Sequence, residues 1–225
     1  MHHLLQQLGR QIVFEQSDEP GKRQFLIEAE EICDVLINET GTGSVKGISF
    51  NTSKIGEVSV SKGAFEGMCN LRFLRIYGML VGQGTLQIPE DMQYLPRLRL
   101  LHWNHYPRKI LPPRFQPERL VELHMPDSNL EMLWGGIQIG SKSLKRLTHA
   151  PLSITLLDIS KSDIKRIPDC IVSLPWLQNF TVYNCRKLVS IPALSPSLES
   201  LNATECVSLI RVERVETKGE RGLPK

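Results

Sequence analysis

Hydrophobic positions along this chain recur in blocks of the form Leu-x-x-Leu-x-apolar. Six blocks are present, and their apolar residues are Leu71-Leu74-Ile76, Leu98-Leu101-Trp103, Leu120-Leu123-Met125, Ile154-Leu157-Ile159, Leu177-Phe180-Val182 and Leu198-Leu201-Ala203. Successive blocks begin 27, 22, 34, 23 and 21 residues apart. Four of these five intervals lie within the roughly 20–29 residues of a leucine-rich repeat. The period predicts stacked repeat units.

Within each block, alternate residues point to opposite faces of a predicted strand. One coil cannot bury its apolar face alone, whereas stacked coils can. After several strands comes a second apolar anchor followed by proline, at Ile88-Pro89, Leu111-Pro112, Ile167-Pro168 and Ile191-Pro192. Proline lacks an N–H donor and can turn the chain back over the outer side. The predicted fold is therefore an α/β, leucine-rich-repeat solenoid that is curved, with a parallel sheet on its concave face.

Cys185 and Cys206 occupy the turn position that follows the strand in this repeat class. Small polar side chains there satisfy backbone groups of the tight turn. We interpret the two thiols as members of a buried structural ladder, with redox sensing as the less favoured alternative.

The interval of 34 residues between the third and fourth blocks departs from the period. A degenerate unit could begin at the Leu-Lys-Arg-Leu sequence of residues 144–147, after a glycine-rich stretch. We therefore predict a seam near residues 135–143, where the array is irregular, and the loss of intervening repeats is one interpretation of it.

The segment before the first block has a different pattern. Apolar residues at helical spacing predict an amphipathic helix over residues 1–14, and a second helix is predicted over residues 28–36. A strand is predicted over residues 45–50. We place a small, mostly helical remnant at 1–43, about six repeats at 44–212, and a disordered, charged tail at 213–225.

The charge distribution and the cysteine pattern limit the cellular compartments and the partner classes to be expected. The formal net charge is +3, and its 27 basic and 24 acidic residues are spread along the sequence. This distribution supports neither a nucleic-acid partner nor a membrane partner. Five cysteines without a Cys-x-x-Cys pair fit a reducing compartment. No stretch approaches the roughly 20 apolar residues of a membrane span, so we expect a cytoplasmic location, with the nucleus as the alternative.

Several segments carry a family resemblance. Residues 1–13 (MHHLLQQLGRQIV) resemble a Met-His motif and its helix, and residues 65–74 (FEGMCNLRFL) resemble a first repeat. Residues 30–36 and 41–43 are similar to a linker, while the Leu-His-Trp at 101–103 and the stretch at 120–134 resemble later repeats. Together they resemble plant disease-resistance proteins of the Toll/interleukin-receptor, nucleotide-binding, leucine-rich-repeat class.

The resemblance implies that residues 1–43 are the winged-helix end of a nucleotide-binding switch domain with its linker. It also implies that His2 contacts the phosphate of ADP, since full-length members bind ADP or ATP. No Gly-x-x-x-x-Gly-Lys-Ser/Thr loop occurs in this sequence, so we expect no cofactor in this chain. The NAD-cleaving and nucleotide-binding domains of the family are likewise not encoded here.

We find no constellation for catalysis or metal binding. His102 and His105 are three residues apart, but on a strand their side chains would point to opposite faces. No Gly-x-Ser-x-Gly elbow is present. The sequence therefore predicts a protein that is not an enzyme.

The alternative to chemistry is binding through the concave face. The side chains expected to point from the strands toward a partner are Phe73, Arg75, Tyr77, His102, Asn104, Glu122, His124, Asp158, Asn179, Thr181, Tyr183 and Asn202. Aromatic and arginine side chains are common interface anchors. The resemblance implies a pathogen effector, a guarded host protein or the receptor's own nucleotide-binding domain as the partner, for effector recognition and autoinhibition of the switch. A generic repeat scaffold, or a decoy fragment without immune activity, is the alternative.

Overall fold

A computed structural model describes residues 3–78, 86–130, 151–167 and 169–213. The helices are α1 (His3–Phe14), α2 (Ala29–Asn38) and α3 (Asp169–Val172), with 3-10 turns at Pro20–Lys22, Thr52–Lys54 and Pro117–Arg119. The strands are β1 (Phe25–Leu26), β2 (Gly47–Asn51), β3 (Val58–Ser59), β4 (Phe73–Tyr77), β5 (Leu86–Gln87), β6 (Leu100–Trp103), β7 (Glu122–His124), β8 (Leu156–Asp158), β9 (Asn179–Thr181), β10 (Ser190–Ile191), β11 (Ser200–Asn202) and β12 (Arg211–Val212).

Eight of these strands form one sheet in the order β1-β2-β4-β6-β7-β8-β9-β11. Every neighbouring pair is parallel, and the six predicted blocks supply β4, β6, β7, β8, β9 and β11. The register keeps equivalent positions side by side, so that Leu74 pairs with Leu101, and Leu101 with Leu123. This arrangement confirms the predicted leucine-rich-repeat solenoid.

The core is a continuous column of block residues under the sheet. Leu71, Leu98, Leu120, Ile154 and Leu177 are each 0% exposed. A fully buried leucine or isoleucine contributes about 1.5–3 kcal/mol through removal of its surface from water. The repeated block therefore stabilises each coil against the next one.

The outer side of the coils is closed by the predicted second anchors. Ile88, Leu111, Ile167 and Ile191 are all buried. Two short parallel pairs also form outside the main sheet, β3 with β5 and β10 with β12. The apolar residue before each proline thus closes the core of its coil.

The turns that follow β6, β7, β8, β9 and β11 are each built on one left-handed residue. The residues with positive φ in these turns are His105, Asp127, Lys161, Asn184 and Glu205, with φ between 53° and 60°. Each immediately precedes a ladder position, and those positions hold Tyr106, Ser128, Ser162, Cys185 and Cys206. Ladder side chains bond back to the strand, as when Ser128 Oγ donates to the Met125 carbonyl at 2.8 Å.

Both cysteines occupy ladder positions, with Cys185 buried as predicted and Cys206 half-buried. Cys185 Sγ contacts Ser162 Oγ at 3.5 Å and donates to the Ile159 carbonyl at 3.4 Å, while Cys206 Sγ donates to the Val182 carbonyl at 3.0 Å. Burial raises the pKa of the Cys185 thiol. A raised pKa lowers the thiolate fraction, which reduces nucleophilic reactivity.

The segment before the first repeat is joined to the sheet. Helix α2 buries Ile32 and Leu36 completely. Strand β1, which the sequence analysis did not predict, pairs in parallel with β2 and forms the edge of the sheet. The domain boundaries remain predictions, although the sheet begins at Phe25, before residue 44.

The sheet is continuous across the long interval between the third and fourth blocks. Strand β7 pairs directly with β8, with Leu123 opposite Leu157. The predicted seam at 135–143 and the degenerate unit at 144–147 lie outside the described residues. His2 and nearly all of the predicted tail at 213–225 also lie outside them. Among the residues that the structure describes, no helix is long and apolar enough to cross a membrane.

Candidate interaction surface

Side chains on the solvent side of the eight-stranded sheet form two parallel rows, which we call the concave face. The first row contains Phe25, Gly47, Phe73, Leu100, Glu122, Leu156, Asn179 and Ser200, in register from strand to strand. The second row contains Ser49, Arg75, His102, His124, Asp158, Thr181 and Asn202. Nine of the twelve predicted partner-binding residues lie in these rows, while Tyr77 ends β4 and Asn104 and Tyr183 follow β6 and β9.

The first end of the concave face is aromatic and cationic. The Phe25 ring lies over Gly47, where an added Cβ would stand 2.7 Å from a Phe25 ring carbon. Phe25 is 41% and Phe73 is 45% exposed, although both are large apolar residues. Next to them, the Arg75 guanidinium lies 4.5 Å from the centroid of the Tyr77 ring. This contact holds the cation on the surface by a cation–π attraction.

A pair of histidines occupies the middle of the second row. The His102 and His124 rings stack, with centroids 5.2 Å apart and planes inclined by 24°. His102 Nε2 is 2.7 Å from Asn104 Oδ1, which fixes the ring orientation. Burial is the main cause that lowers the pKa of His102, and the charges of His124 and Arg75 lower it further. The neutral form of His102 is therefore favoured at neutral pH.

Acidic groups flank His124 on the far side of the pair. Its Nε2 lies 3.6 Å from Glu122 Oε2, and its Nδ1 lies 4.0 Å from Asp158 Oδ2. The other Asp158 oxygen accepts from the backbone N–H of Ser160 at 2.9 Å and from its hydroxyl at 2.5 Å. The row thus changes from cationic at Arg75 to anionic at Asp158 across two strands.

The last strands present neutral polar groups. Asn179 and Asn202 are exposed, and Asn202 Oδ1 accepts from the backbone N–H and the hydroxyl of Thr204 at 3.2 and 2.8 Å. A hydrogen bond to the Glu205 carboxylate raises the pKa of Tyr183. Amides and hydroxyls held in this way can bind a polar segment of a partner without a charge requirement.

The metal hypothesis at His102 and His105 gains no support from the geometry. His102 stacks on His124 at the concave face, whereas His105 lies in the left-handed turn with its Nδ1 buried and unpaired. Within the described ranges, no group of three or more His, Cys, Asp or Glu residues could hold a metal ion.

The concave face also contains residues that the sequence analysis missed. Phe25 and Gly47 extend the aromatic end by two strands, and Ser49 extends the second row. In the two-residue strand β1, Phe25 is exposed and Leu26 is buried. An alternation of only two residues is too short to be recognised as a strand period in the sequence.

Comparison with known sequences agrees with the architecture. The Leucine Rich Repeat family matches residues 119–138. Disease resistance protein RML1A of Arabidopsis thaliana is 44% identical over 237 residues, which cover 98% of this chain and 24% of that protein. Disease resistance protein RPS6 from the same plant is 39% identical over 90% of the chain and 17% of its own length. Disease resistance protein TAO1, also from Arabidopsis thaliana, is 41% identical over 86% of the chain and 16% of its length.

The chain therefore spans about a quarter or less of the length of these relatives. Identity at this level over 86–98% of the chain shows common ancestry with one segment of each relative.

Proposed function

We propose that this chain, a leucine-rich-repeat homologue of plant disease resistance proteins, is a non-catalytic protein-interaction module of an immune receptor. The observation that carries the proposal is the parallel register, which aligns the polar and aromatic side chains of seven consecutive strands into one surface row. A continuous row on a rigid sheet is suited to recognising a protein surface.

The concave face has the composition of a protein interface. Aromatic side chains and arginine are enriched in interface cores, and Phe25, Phe73, Arg75 and Tyr77 lie together at one end. Charged groups of both signs follow along the second row. Because the sign of the charge changes along the row, a complementary partner would bind in one preferred orientation. A partner with an acidic and apolar segment facing β4 would be complementary to it.

The disease resistance relatives support a partner in defence signalling. The candidates are a pathogen effector, a guarded host protein and the nucleotide-binding domain of the same receptor, whose switch the array would hold inactive. The nucleotide would then be held mainly by that domain, and His2 of this chain would contact the phosphate of its ADP. A cytoplasmic location is part of the same proposal.

The test is the association of the purified chain with a separately expressed nucleotide-binding domain from a disease resistance relative, measured by calorimetry. The variant Arg75→Glu reverses a charge on the concave face, and Arg166→Glu makes the same change at an exposed residue outside the eight-stranded sheet. We expect Arg75→Glu to weaken binding at least about tenfold and Arg166→Glu to leave it within about twofold.

Equal effects of the two variants would exclude the concave face as the binding surface. Absence of binding would exclude autoinhibition by this array and would favour the generic scaffold. Circular dichroism of each variant checks that both remain folded.

A further inference from the structure

A cleft on the edge of the solenoid brings together four arginines from three successive coils. Arg72 precedes β4, Arg97 precedes β6, and Arg114 and Arg119 lie between β6 and β7. The cleft has a volume of about 630 Å³. That volume lies within the usual range of small-molecule sites. It is separate from the concave face, since none of its lining residues belongs to the two rows described above.

No carboxylate of the described residues compensates the positive charge of this cleft. The lining residues that the structure describes include no acidic side chain. Among the residues that the structure describes, none of the four arginines forms an ion pair with a carboxylate. Four cations facing one cleft repel each other, and an anion bound between them removes that repulsion.

Neutral acceptors hold two of the guanidinium groups in place. Arg72 donates to the backbone carbonyls of Cys69 and Leu71 at 3.2 Å each. Arg97 Nε donates to the side-chain carbonyl of Gln116. Each group is thus oriented without being neutralised, and its remaining N–H donors can bind a ligand.

Pairing with the neighbouring coils fixes the backbone of Arg72. The backbone N–H of Arg72 donates to the Lys46 carbonyl at 2.8 Å, and the N–H of Arg99 donates to the Arg72 carbonyl at 2.7 Å. Adjacent strands lie roughly 4.8 Å apart. The backbone of the cleft residue Arg72 is therefore ordered by hydrogen bonds to the neighbouring coils on both sides.

The chemistry of the cleft favours phosphate groups. Arginine presents a planar set of donors that matches phosphate oxygens in a bidentate manner. Several cations in one small cleft require a ligand with more than one anionic group. Buried Leu95 and Phe115 line the cleft together with half-buried Tyr94, so an apolar wall stands beside the exposed residues Arg97, Arg114 and Arg119.

We infer that this cleft binds a small polyanion with several phosphate groups, either a free molecule or the headgroup of a phosphoinositide. The inference is independent of the proposed concave-face partner, because the two surfaces share no residue.

The experiment titrates inorganic tripolyphosphate into the full chain by calorimetry at about 0.15 M salt, where weak surface attraction is screened. The double variant Arg97→Gln/Arg114→Gln removes two cleft cations. The matched control, Arg166→Gln/Arg186→Gln, removes the same charge from exposed arginines outside the cleft. We expect about a tenfold loss of affinity for each cleft arginine, hence about a hundredfold for the pair, and less than about twofold for the control.

Two further arms distinguish the ligand source. Flotation with vesicles that contain phosphatidylinositol bisphosphate, compared with phosphatidylserine vesicles of equal charge, tests the headgroup. Binding of the first vesicles alone, lost in the cleft variant, identifies a lipid source. Tripolyphosphate binding without vesicle binding identifies a free ligand.

Four outcomes overturn the inference. They are no binding in either arm, equal loss in the cleft and control variants, equal binding of a poly-glutamate peptide, and tighter cleft-dependent binding of a single-stranded RNA oligonucleotide. The last outcome would assign the cleft to nucleic acid instead.

Discussion

Left-handed backbone conformations recur at one residue in the coils of β6, β7, β8, β9 and β11, where they set the turn that follows the strand. An L-residue with a Cβ pays roughly 1–2 kcal/mol in this conformation, while asparagine and glycine tolerate it better. Asn184, with φ of 53°, is therefore the favourable choice, whereas Lys161 and Glu205 occupy the same position at φ of 54° and 60° with bulkier side chains.

Replacing Asn184 tests this assignment. We expect Asn184→Ala to lower the free energy of unfolding by about 1 kcal/mol and Asn184→Gly to change it by less than about 0.5 kcal/mol. The matched control is Asn179→Ala, at an exposed residue of β9 in extended conformation, with an expected change within about 0.5 kcal/mol. Urea denaturation measures all three, and equal losses for the two alanine variants would contradict the role of the turn.

The pH dependence of His102 follows from its surroundings. Burial first, then His124 and Arg75, lowers the pKa of His102 below its ordinary value of 6.5, against the hydrogen bond to Asn104 and the charge of Asp158. The unfolded chain therefore binds the proton at a higher pH than the folded chain does. The stability contribution is present above pH 6.5 and is lost as the pH falls through the folded pKa.

We expect the free energy of unfolding of the wild type to fall faster than that of His102→Gln between pH 7 and about pH 5. Arg75→Gln should raise the pKa of His102, because it removes a neighbouring cation. Urea denaturation across this pH range and the imidazole proton signals in NMR check the two statements. If the free energy of unfolding changed equally with pH in the wild type and in His102→Gln, protonation of His102 would not be coupled to folding.

At the scale of elements, the two N-terminal helices differ in how they are packed. Helix α2 buries Ile32 and Leu36 at 0% exposure, whereas Leu5 and Leu8 of α1 are 61% and 53% exposed. Both helices carry an apolar face in the sequence, so periodicity alone predicts both and does not show which one has a partner in this chain.

We expect Leu36→Ala to lower the free energy of unfolding by about 2–5 kcal/mol, because it leaves a cavity under β2. Leu5→Ala should change it by less than about 0.5 kcal/mol, since the side chain is already in water. Thermal and urea unfolding of the two matched leucine variants compare them directly. A large loss for Leu5→Ala would show that α1 packs on the solenoid in solution.

The strands that could be predicted from the sequence are those whose hydrophobic pattern recurs many times along the chain. The six blocks could be predicted because Leu71 and its equivalents recur with a visible period and all become strands of one sheet. Strand β1 could not be predicted, since it has two residues and exists through its pairing with β2. The arginine cleft was also invisible, because Arg72, Arg97 and Arg119 are separated along the chain and meet only when coils stack.

The candidate concave face was predicted more fully than the cleft. A parallel register turns the sequence position within a block into a position on the surface, so Arg75, His102 and His124 could be assigned to one row from the sequence. Specific contacts, such as the stacking of His102 on His124, depend on side-chain rotamers that a repeat pattern does not encode.

At the scale of the whole molecule, the edge of the array at β11 is less buried than its centre. In a stack of coils, stability is roughly a sum of unit terms and interfaces between neighbours. The equivalent core residues Leu101, Leu123 and Leu157 are each 0% exposed, whereas Leu201 in the edge strand β11 is 37% exposed. The coil of β11 has a strand neighbour on one side in the described sheet, and its interface contribution is correspondingly smaller.

The opening free energies measured by amide hydrogen exchange should therefore vary along the solenoid rather than share a single value. We expect the lowest opening free energies for β9 and β11 and the highest for β4, β6 and β7, because local opening begins where few interfaces must break. In line with these opening free energies, Leu157→Ala should lower the free energy of unfolding by about 2–5 kcal/mol. Leu201→Ala should lower it by about 1 kcal/mol or less. Hydrogen exchange by NMR or mass spectrometry measures the gradient residue by residue. Uniform protection from β4 to β11 would mean that the array unfolds as one cooperative unit, in which the edge is stabilised as strongly as the centre.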